Sequence, residues 1–586
     1  MFSSSSNNSS DSIGTNSSRP SSPPLPNKRR TAIIRDENGF KIKRNAIDSK
    51  STTAFEQLGG GSNTYDKTLY EEEVDNFKYV IDGPLRKVPP YFFTYLTFCK
   101  LRWIGKKLID VFADEFRLYP RSYYEKTIKS GKVTINKKVA DIDTVLKNGD
   151  LISHKIHRHE PPVTSVPIKI VFEDDEIIVI DKPSGIPAHP TGRFRYNTVT
   201  KVMEKEYGKV VHTCNRLDRL TSGLMFLGKT AEATAKLVNQ IKCREVSKKY
   251  IARVYGNFPS EDSIECDKPL RTVEPRLALN IVDEIEGKEA KTVFSKISYD
   301  KETNTSIVLC KPLTGRTHQI RVHLQYLGHP IANDPLYSSP KIWGSNFGKN
   351  ADYKIEEVIE KLNKIGKTDT ATSWFYPDSA GELLTSENCE ICQIQLYSDP
   401  GPNDLNLWLH SFEYESNVKD SWSYRTELPD WVLATHKPFM ELALKEANNC
   451  AETKTAFSVG CVIVDKNGEI LSTGYSRELP GNTHAEQCAL EKIYEKIGKR
   501  QVPKGSVLYT TMEPCSERLS GNLPCADRII DDGNIKTCFV GVLEPDTFIK
   551  KNVGYSKLKE HGLNYLKIPG YEEECLKVAF KGHEDK

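Results

Sequence analysis

One histidine, one glutamate and two cysteines in the last quarter of the chain constrain its fold most strongly. His484 stands two residues before Glu486, and Cys515 and Cys525 each follow a proline directly. One imidazole and two thiolates leave the fourth position of a tetrahedral zinc ion open, as catalytic rather than structural sites do. Zinc lowers the pKa of bound water to about 7, and Glu486 is close enough to take that proton and return it to a leaving group. Each residue alone is ordinary in a core or on a surface, so the prediction rests on their combination.

The order of these residues is similar to the signature of the nucleobase-type zinc deaminases. Nine residues separate Cys515 from Cys525, where the short form of the motif has two. This long linker, PCSERLSGNLPC, resembles the deaminases of riboflavin biosynthesis, which act on a free ribityl-aminopyrimidine phosphate. The resemblance implies His484 and the two cysteines as zinc ligands and Glu486 as general acid–base, with ammonia leaving. Ala456-Phe457-Ser458 replaces the Asn-Pro pair typical of bacterial relatives, so base recognition is expected to differ.

The sequence around these residues alternates helical and strand-like segments. Such alternation is typical of a layered domain, and residues 434–586 are predicted to form a three-layer α/β/α domain like that of the cytidine deaminases. The expected elements are a helix over residues 439–450, strands over 459–465 and 469–475 joined by a turn at Asn467-Gly468, the helix after His484, and a strand over 506–511.

The length of the chain, 586 residues, requires further domains, since single cores rarely exceed about 250–300 residues. No apolar run approaches the ~20 residues that span a bilayer, and the amino terminus has no apolar signal-peptide core. Fourteen irregularly spaced cysteines fit a reducing compartment rather than a disulfide framework. We therefore predict a cytoplasmic protein, with a nuclear pool left open. Residues 1–60 are rich in Ser, Asn, Pro and Gly and predict a disordered tail, in which Lys28-Arg29-Arg30 is a nuclear address, a phosphate contact or a solvated basic run.

Charge is distributed unevenly, although the formal net charge is only +3. Residues 434–586 carry 21 Lys and Arg against 22 Asp and Glu, whereas residues 100–158 carry 14 against 7. A polyanion therefore suits the basic segment, and a small molecule the neutral one. The basic segment predicts helices around residues 103–112 and 122–129, followed by a hairpin-like alternation. It resembles the small alpha-L RNA-binding module of ribosomal proteins and pseudouridine synthases; a basic α+β fragment without a ligand is the alternative.

Three segments in the middle of the chain centre on one aspartate. They are NRLDRLTSGLMFLGK with Asp218 between two arginines, REVSKKYIARVYG with Tyr250 at the start of a strand, and KPLTGRTHQIRVHLQYLGHPIANDPLY with Arg316 in a basic, histidine-bearing turn. Taken alone, Asp218 would form an ordinary surface ion pair with a neighbouring arginine. Together the segments resemble the RluA-type pseudouridine synthases over about residues 90–433. The resemblance implies Asp218 as the catalytic carboxylate, Arg316 as its partner and Tyr250 as the platform that stacks on the target base, with Arg216 and Arg219 contacting RNA.

The chemistry implied for this domain needs no cofactor. The N-glycosidic bond of a uridine breaks, the uracil turns and it rejoins through carbon, without a redox step or external energy. The base must leave its stack, and stacking on an aromatic ring contributes about 1–3 kcal/mol. A neighbouring arginine lowers a carboxylate pKa by about 1–3 units and so favours ionised Asp218, which either attacks the sugar or abstracts a proton. Asn215 stands where the family most often has histidine, and we expect it to tune contact with RNA.

An insertion over about residues 338–400 interrupts this domain and is low in apolar periodicity. It contains Cys389 and Cys392 in C-x-x-C spacing. Because no second ligand pair lies nearby in sequence, we interpret the insertion as a loop with two free thiols rather than as a zinc site.

These features predict a multi-domain α+β and α/β protein. Its expected parts are the tail at 1–60, an extension with the alpha-L module at 61–160, a mixed α/β pseudouridine synthase domain at 161–433 and the zinc-dependent deaminase domain at 434–586. Both halves together resemble the fungal bifunctional enzymes of this type, which implies tRNA modified at an anticodon-loop uridine, position 32. Expected partners are tRNA and a small pyrimidine phosphate, with Zn²⁺ for the deaminase and neither membrane nor DNA. Two alternatives stay open: a carboxy-terminal domain that edits RNA, and an RNA-binding protein without catalysis.

Overall fold

The first strands of the described structure lie near residue 80. The computed structural model describes residues 78–583 except residues 117–118, 261–262, 276, 366–368, 371, 378, 380, 418–421, 519 and 549–551. The predicted tail at 1–60 and its run Lys28-Arg29-Arg30 lie outside the described residues. Among those that are described, no helix combines the length and the apolar character needed to span a membrane.

Two small sheets and two helices form the amino-terminal module. Its strands are β1 (Val80–Asp82), β2 (Leu85–Lys87), β3 (Tyr91–Phe98), β4 (Val133–Ile135), β5 (Lys138–Val139), β6 (Leu151–Arg158) and β7 (Val163–Thr164), and its helices are α1 (Leu108–Glu115) and α2 (Arg121–Lys129). The sheets run in the orders β1-β2-β7 and β3-β6-β4-β5. Trp103, Phe112 and Tyr124 are buried between the helices and the larger sheet.

The first helix of this module begins later than predicted. A single 3-10 turn covers Leu101–Trp103, and the α-helix starts only at Leu108. Gly105 separates the two with a φ of +80°, a left-handed conformation that a continuous right-handed helix cannot contain. The second helix agrees with the prediction to within one residue.

A mixed ten-stranded sheet forms the centre of the middle domain. The strands of this domain are β8 (Lys169–Glu173), β9 (Ile177–Lys182), β10 (His212–Thr213), β11 (Ser222–Gly228), β12 (Val246–Tyr255), β13 (Ile264–Asp267), β14 (Leu270–Glu274), β15 (Leu279–Val282), β16 (Lys291–Asp300), β17 (Thr305–Pro312), β18 (Leu384–Asn388), β19 (Gln395–Tyr397), β20 (Leu409–Ser416) and β21 (Ser423–Arg425). The main path is β13-β16-β17-β12-β20-β11-β9-β8, with β10 paired to β11 and β21 to β20. The helices are α3 (Val199–Tyr207), α4 (Ala231–Lys242), α5 (Gln319–Tyr326), α6 (Pro340–Trp343) and α7 (Ile355–Leu362).

The centre of this sheet is a tight parallel contact between β11 and β20. The apolar run Leu224–Leu227 of β11 is completely buried, which explains its continuous hydrophobicity. At Gly223 the φ is +107°, and a Cβ there would lie 2.2 Å from the carbonyl oxygen of Ser411. Only glycine allows this approach, and the strand is preceded by the loop that carries Asp218.

The predicted insertion contains ordered secondary structure. It includes the helices α6 and α7 and the antiparallel hairpin β18–β19. The low apolar periodicity of the sequence reflects short elements, because none of the four exceeds eight residues.

The carboxy-terminal domain has the three layers predicted for it. Its strands are β22 (Gly460–Val464), β23 (Ile470–Tyr475), β24 (Ser506–Met512), β25 (Ile535–Val542) and β26 (Asn564–Lys567), and its helices are α8 (Asp430–Asn448), α9 (Ala485–Ile497), α10 (Cys525–Asp532), α11 (Gly554–Glu560) and α12 (Glu572–Ala579). The sheet order is β23-β22-β24-β25-β26, with parallel pairs on the β26 side. Alternate strand residues pack against α8 and α12 on one face and against α9, α10 and α11 on the other.

The predicted boundary at residues 433/434 falls inside α8, which begins at Asp430. Ile297 and Ile307 of the central sheet belong to one hydrophobic cluster with Val432 and Val464. The two domains therefore share packed apolar surface at their junction.

Replacing Gly223 by Ala should lower the free energy of unfolding of the middle domain. The loss should exceed the cost of placing an alanine in a left-handed conformation. The control Gly208→Ala has a φ of +66° but open space around its Cβ, so it should cost about 1–2 kcal/mol. Backbone overpacking at Gly223 should add about 1–3 kcal/mol or more. Urea unfolding followed by tryptophan fluorescence reports mainly on this domain, because four of the six tryptophans, Trp343, Trp374, Trp408 and Trp422, lie in it. Equal losses in the two variants would contradict the close contact.

Candidate active sites

Asp218 lies in the loop between β10 and β11, and the turn after β9 packs against this loop. The Nζ of the buried Lys182 donates to the carbonyl oxygens of Ile186 (2.9 Å) and Arg219 (3.2 Å), so the turn after β9 is fastened to the Asp218 loop. The side chain of Asp218 remains 29% exposed. The loop thus holds a carboxylate that a ligand can still reach.

A buried arginine faces Asp218 from α5. Arg321 Nη1 lies 3.4 Å from Asp218 Oδ2. Its Nε and Nη2 bind both oxygens of Asp334 at 2.7 and 2.9 Å, a bidentate geometry that fixes the guanidinium plane. Burial opposes ionisation of Asp218, but His318, Arg321 and Arg216 outweigh it and lower the pKa of Asp218 below its ordinary value.

The structure does not bring Arg316, the predicted partner, to Asp218. Arg316 is exposed, and its Nε donates to the carbonyl oxygen of Glu289 at 2.9 Å. The chain turns at His318, whose φ is +57°, before α5 begins at Gln319. This turn separates Arg316 from the helix and places Arg321, five residues later, against the carboxylate.

His318 is the second group beside Asp218. Its Nε2 lies 3.6 Å from Asp218 Oδ2, and its Nδ1 lies 3.0 Å from the hydroxyl of Tyr337. Burial, reinforced by Arg321, lowers the pKa of His318 to about 4, so the ring is neutral near pH 7. A non-glycine residue with a left-handed φ beside a candidate site is a strained position of the kind that concentrates at functional sites.

Tyr250 is buried, and its hydroxyl lies 2.7 Å from that of Tyr414. A β-bulge between Lys249 and Tyr250 redirects the side chains of β12 relative to β20. Asn215 contributes to the same network, since its Nδ2 donates to Tyr414 at 3.3 Å and its Oδ1 accepts from the Phe226 amide at 2.8 Å. Burial raises the pKa of Tyr250 well above its ordinary value, and the charge of Asp218 adds to this.

The remaining predicted arginines differ in exposure. Arg216 is exposed, as Arg316 is. Arg219 instead turns toward the insertion, where its Nη1 lies 4.0 Å from Glu382. Arg216 and Arg316 are therefore accessible from solvent, whereas Arg219 links the Asp218 loop to the insertion.

The second candidate site brings together the three predicted metal ligands. His484 lies at the start of α9, Cys515 follows β24 and Cys525 is the first residue of α10. Both Sγ atoms lie 3.5 Å from His484 Nδ1. Bond lengths of about 2.3 Å to sulfur and 2.0–2.1 Å to nitrogen require about 3.6 Å between such donors in a tetrahedron. The donor set therefore fits zinc.

Glu486 is buried beside these donors. Its Oε1 accepts a hydrogen bond of 2.8 Å from the hydroxyl of Thr510. Burial raises the pKa of Glu486, with Cys515 acting in the same direction and His484 against it. A carboxyl group with a raised pKa is suited to accepting and releasing a proton near neutral pH.

A cavity of about 130 Å³ opens next to this cluster. Phe457, Arg477 and Glu544 line it together with the cluster itself. Arg518, from the long linker between the cysteines, donates to Gln487 Oε1 at 2.9 Å and to the carbonyl oxygen of Asn482. The linker is thus fastened to the helix that carries Glu486 and forms one wall of the cavity.

The sequence analysis missed several residues of these sites. Arg321 and His318 stood in the basic, histidine-bearing turn that had been singled out, so their residue types were a signal but their positions were not. Asp334, Thr510 and Arg518 had no local signal, because their roles depend on partners distant in sequence.

Comparison with known proteins identifies the class of the middle domain. The family described as RNA pseudouridylate synthase matches residues 176–326. A Saccharomyces cerevisiae protein named tRNA pseudouridine(32) synthase, mitochondrial, is 59% identical over 409 residues, which cover 67% of this chain and 87% of the relative. The chain belongs to the RNA pseudouridine synthase family.

The carboxy-terminal domain matches a second family, described as the cytidine and deoxycytidylate deaminase zinc-binding region, over residues 433–542. A Schizosaccharomyces pombe protein named diaminohydroxyphosphoribosylamino-pyrimidine deaminase is 46% identical over 151 residues, which cover 26% of this chain and 36% of the relative. A crystal structure of the Aspergillus oryzae Rib2 deaminase is 36% identical, covers 26% of this chain and 93% of its own, and has a TM-score of 0.24. The chain therefore joins a domain of the pseudouridine synthase family to a domain that is similar to zinc-binding deaminases.

Removing the carboxylate that holds Arg321 should strongly destabilise the middle domain. Asp334→Ala leaves a buried guanidinium without its bidentate partner, which should cost about 3–5 kcal/mol. The control is Glu176→Ala, which breaks an ion pair with Lys236. The side chain of Glu176 is 59% exposed and that of Lys236 is 65% exposed. That change should cost less than about 1 kcal/mol. Urea unfolding by tryptophan fluorescence compares the two, and a small loss in both would show that Asp334 does not anchor the site.

Proposed function

We propose that Asp218 is the catalytic carboxylate that converts uridine to pseudouridine in tRNA. The observation that carries this proposal is an ionised, partly exposed carboxylate held beside a fixed, buried arginine. Asp218 must be ionised to act as nucleophile or base, and Arg321 favours that form. The ring of His318 is neutral near pH 7, so it lies beside the carboxylate without adding a positive charge.

The RNA ligand is proposed to bind across exposed basic groups around Asp218. Arg216 and Arg316 would contact phosphates, and Tyr250 would stack on the flipped base. Arg219 would act mainly by fixing the loop, since it faces Glu382. The name of the Saccharomyces cerevisiae relative supports a tRNA substrate and position 32 of the anticodon loop as the target.

The carboxy-terminal domain is proposed to deaminate a ribosyl- or ribityl-aminopyrimidine phosphate. His484, Cys515 and Cys525 would hold a zinc ion, which when bound supplies a Lewis acid that activates water at neutral pH. Glu486 would accept the proton of the attacking water and deliver it to the departing ammonia, while Thr510 orients its carboxyl group. The small cavity favours a free pyrimidine, with the sugar phosphate extending outward. The name of the Schizosaccharomyces pombe relative supports this substrate class.

The domain boundaries at residues 60, 160 and 433 are also proposals. We place the last boundary at about residue 430, where α8 begins.

The cellular compartment of the protein is a further proposal. The predicted cytoplasmic location is opposed by the word "mitochondrial" in the name of the Saccharomyces cerevisiae relative. Imaging of the full-length chain with a carboxy-terminal tag, against mitochondrial and nuclear markers, distinguishes the compartments.

The two activities should be separable by single substitutions. Asp218→Asn should reduce pseudouridine formation on tRNA to background and leave ammonia release unchanged. Glu486→Gln should lower ammonia release by about 10²–10⁴-fold, the usual contribution of a general acid–base, and leave pseudouridine formation unchanged. Pseudouridine is measured by mass spectrometry of digested tRNA, and ammonia by a coupled assay with the aminopyrimidine phosphate.

Matched substitutions control for general effects. Asp175→Asn changes an exposed carboxylate between β8 and β9, and Glu491→Gln changes a partly exposed one on α9. Both should retain both activities. Loss of both activities in Asp218→Asn or Glu486→Gln, in a protein that remains folded, would overturn the assignment of two separate sites.

The pH dependence of pseudouridine formation should report on Arg321. Because Arg321 lowers the pKa of Asp218, Arg321→Gln should raise that pKa by about 1–3 units. Activity that needs the ionised carboxylate would then fall at a higher pH, so the acidic limb of the kcat/KM profile moves upward. Arg321→Lys retains the positive charge and should shift the limb less. An unmoved limb in Arg321→Gln would mean that another group controls it.

A further inference from the structure

Four side chains that can ligate a metal converge outside both candidate active sites. They are His157, His159, Cys389 and Cys392, whose donor atoms all lie within 4.8 Å of one another. We propose that this tetrad binds a structural zinc ion that fastens the insertion to the amino-terminal module. The interpretation of Cys389 and Cys392 as two free thiols without a second ligand pair is corrected by this geometry, since two histidines about 230 residues away in sequence complete the set.

Two sulfur–nitrogen distances in the tetrad are close to those of a zinc tetrahedron. Cys389 Sγ lies 3.5 Å from His157 Nδ1, and Cys392 Sγ lies 3.3 Å from His159 Nε2. A tetrahedral zinc ion needs about 3.6 Å between a sulfur and a nitrogen ligand. Two thiolates and two imidazoles also form one of the common ligand sets of closed, structural zinc sites.

The local structure supplies each ligand pair in a suitable form. His157 and His159 are two residues apart at the end of β6, where alternate side chains of an extended chain point the same way. Their rings contact edge to face, with centroids 4.8 Å apart. The histidine pair is therefore preorganised on a strand that pairs with β3.

Cys389 and Cys392 occupy the turn of the β18–β19 hairpin. The Cys389 amide donates to the carbonyl oxygen of Ile394 at 2.9 Å, and the Gln393 amide donates to that of Cys389 at 2.8 Å. Gln393 has a φ of +58°, which closes the turn and brings both thiols to one side.

The position of the tetrad indicates what the ion would do. It joins β6, in the sheet of the basic module, to the insertion. Glu382, at the other end of that hairpin, binds Arg193 at 2.8 Å and lies 4.0 Å from Arg219 of the Asp218 loop. The ion would therefore hold the basic module at a fixed position relative to Asp218, as a positioning site for RNA.

Metal content tests the proposal directly. The full-length chain, purified without chelator and with any affinity tag removed, should contain two zinc ions per chain by plasma mass spectrometry. Cys515→Ser/Cys525→Ser should retain one, and so should Cys389→Ser/Cys392→Ser and His157→Asn/His159→Asn. Cys243→Ser, which changes an exposed cysteine outside both clusters, should retain two. One zinc ion in the natural chain that disappears in Cys515→Ser/Cys525→Ser would overturn the proposal.

The Cys515→Ser/Cys525→Ser protein keeps the test decisive if substitutions in the tetrad prevent folding. After exchange of its zinc for Co²⁺, the remaining ion should show the visible absorption of a tetrahedral cobalt–thiolate centre. A metal-free protein, or one in which Cys389 and Cys392 form a disulfide, contradicts the proposal. Cys389→Ser/Cys392→Ser should also raise KM for tRNA in pseudouridine formation several-fold while ammonia release is unchanged. A tRNA KM equal to that of Cys243→Ser would remove the positioning role.

Discussion

The arrangement around Asp218 depends on one buried arginine shared between two carboxylates. A guanidinium inside a protein is costly unless its donors are paired, and Arg321 meets this requirement mainly through Asp334. The amides of Leu336 and Tyr337 donate to Asp334 in turn and fix it from the other side. With that fork occupied, the remaining nitrogen of Arg321 is directed at Asp218. The ionisation of one partly exposed carboxylate thus rests on a pair that is itself almost fully buried.

The chain has two clusters of cysteine and histidine, and the number of ligands in each distinguishes a catalytic from a structural metal site. At the carboxy-terminal site three donors leave one tetrahedral position free, and the buried Glu486 lies beside them. In the tetrad of His157, His159, Cys389 and Cys392 four donors close the shell and leave no position for a substrate. The first arrangement is suited to chemistry on a small molecule, whereas the second is suited to joining two segments of chain.

The sequence was sufficient where a recognisable motif specifies how its residues are arranged. It was not sufficient where a residue's partner is distant in sequence. The order of His484, Cys515 and Cys525 predicted a metal-binding cluster, and the fold brings these three residues together. Arg316 was expected beside Asp218, but the backbone at His318 adopts a left-handed conformation and turns Arg316 away. The pattern of apolar residues does not predict such a turn. The histidines that face Cys389 were missed because only the folded chain makes them neighbours.

The junction between the domains explains how two unrelated chemistries coexist in one folded unit. His436 of α8 is completely buried there, with Nδ1 2.7 Å from the hydroxyl of Tyr509 and Nε2 3.4 Å from that of Ser298. It also stacks on Phe539. Burial lowers the pKa of His436 to about 3, so it stays neutral at any physiological pH and acts as a fixed link rather than a switch. Because this link and the surrounding apolar cluster belong to both domains, unfolding one exposes surface of the other. The domains are therefore expected to depend on each other for stability, while each active site keeps its own protonation chemistry.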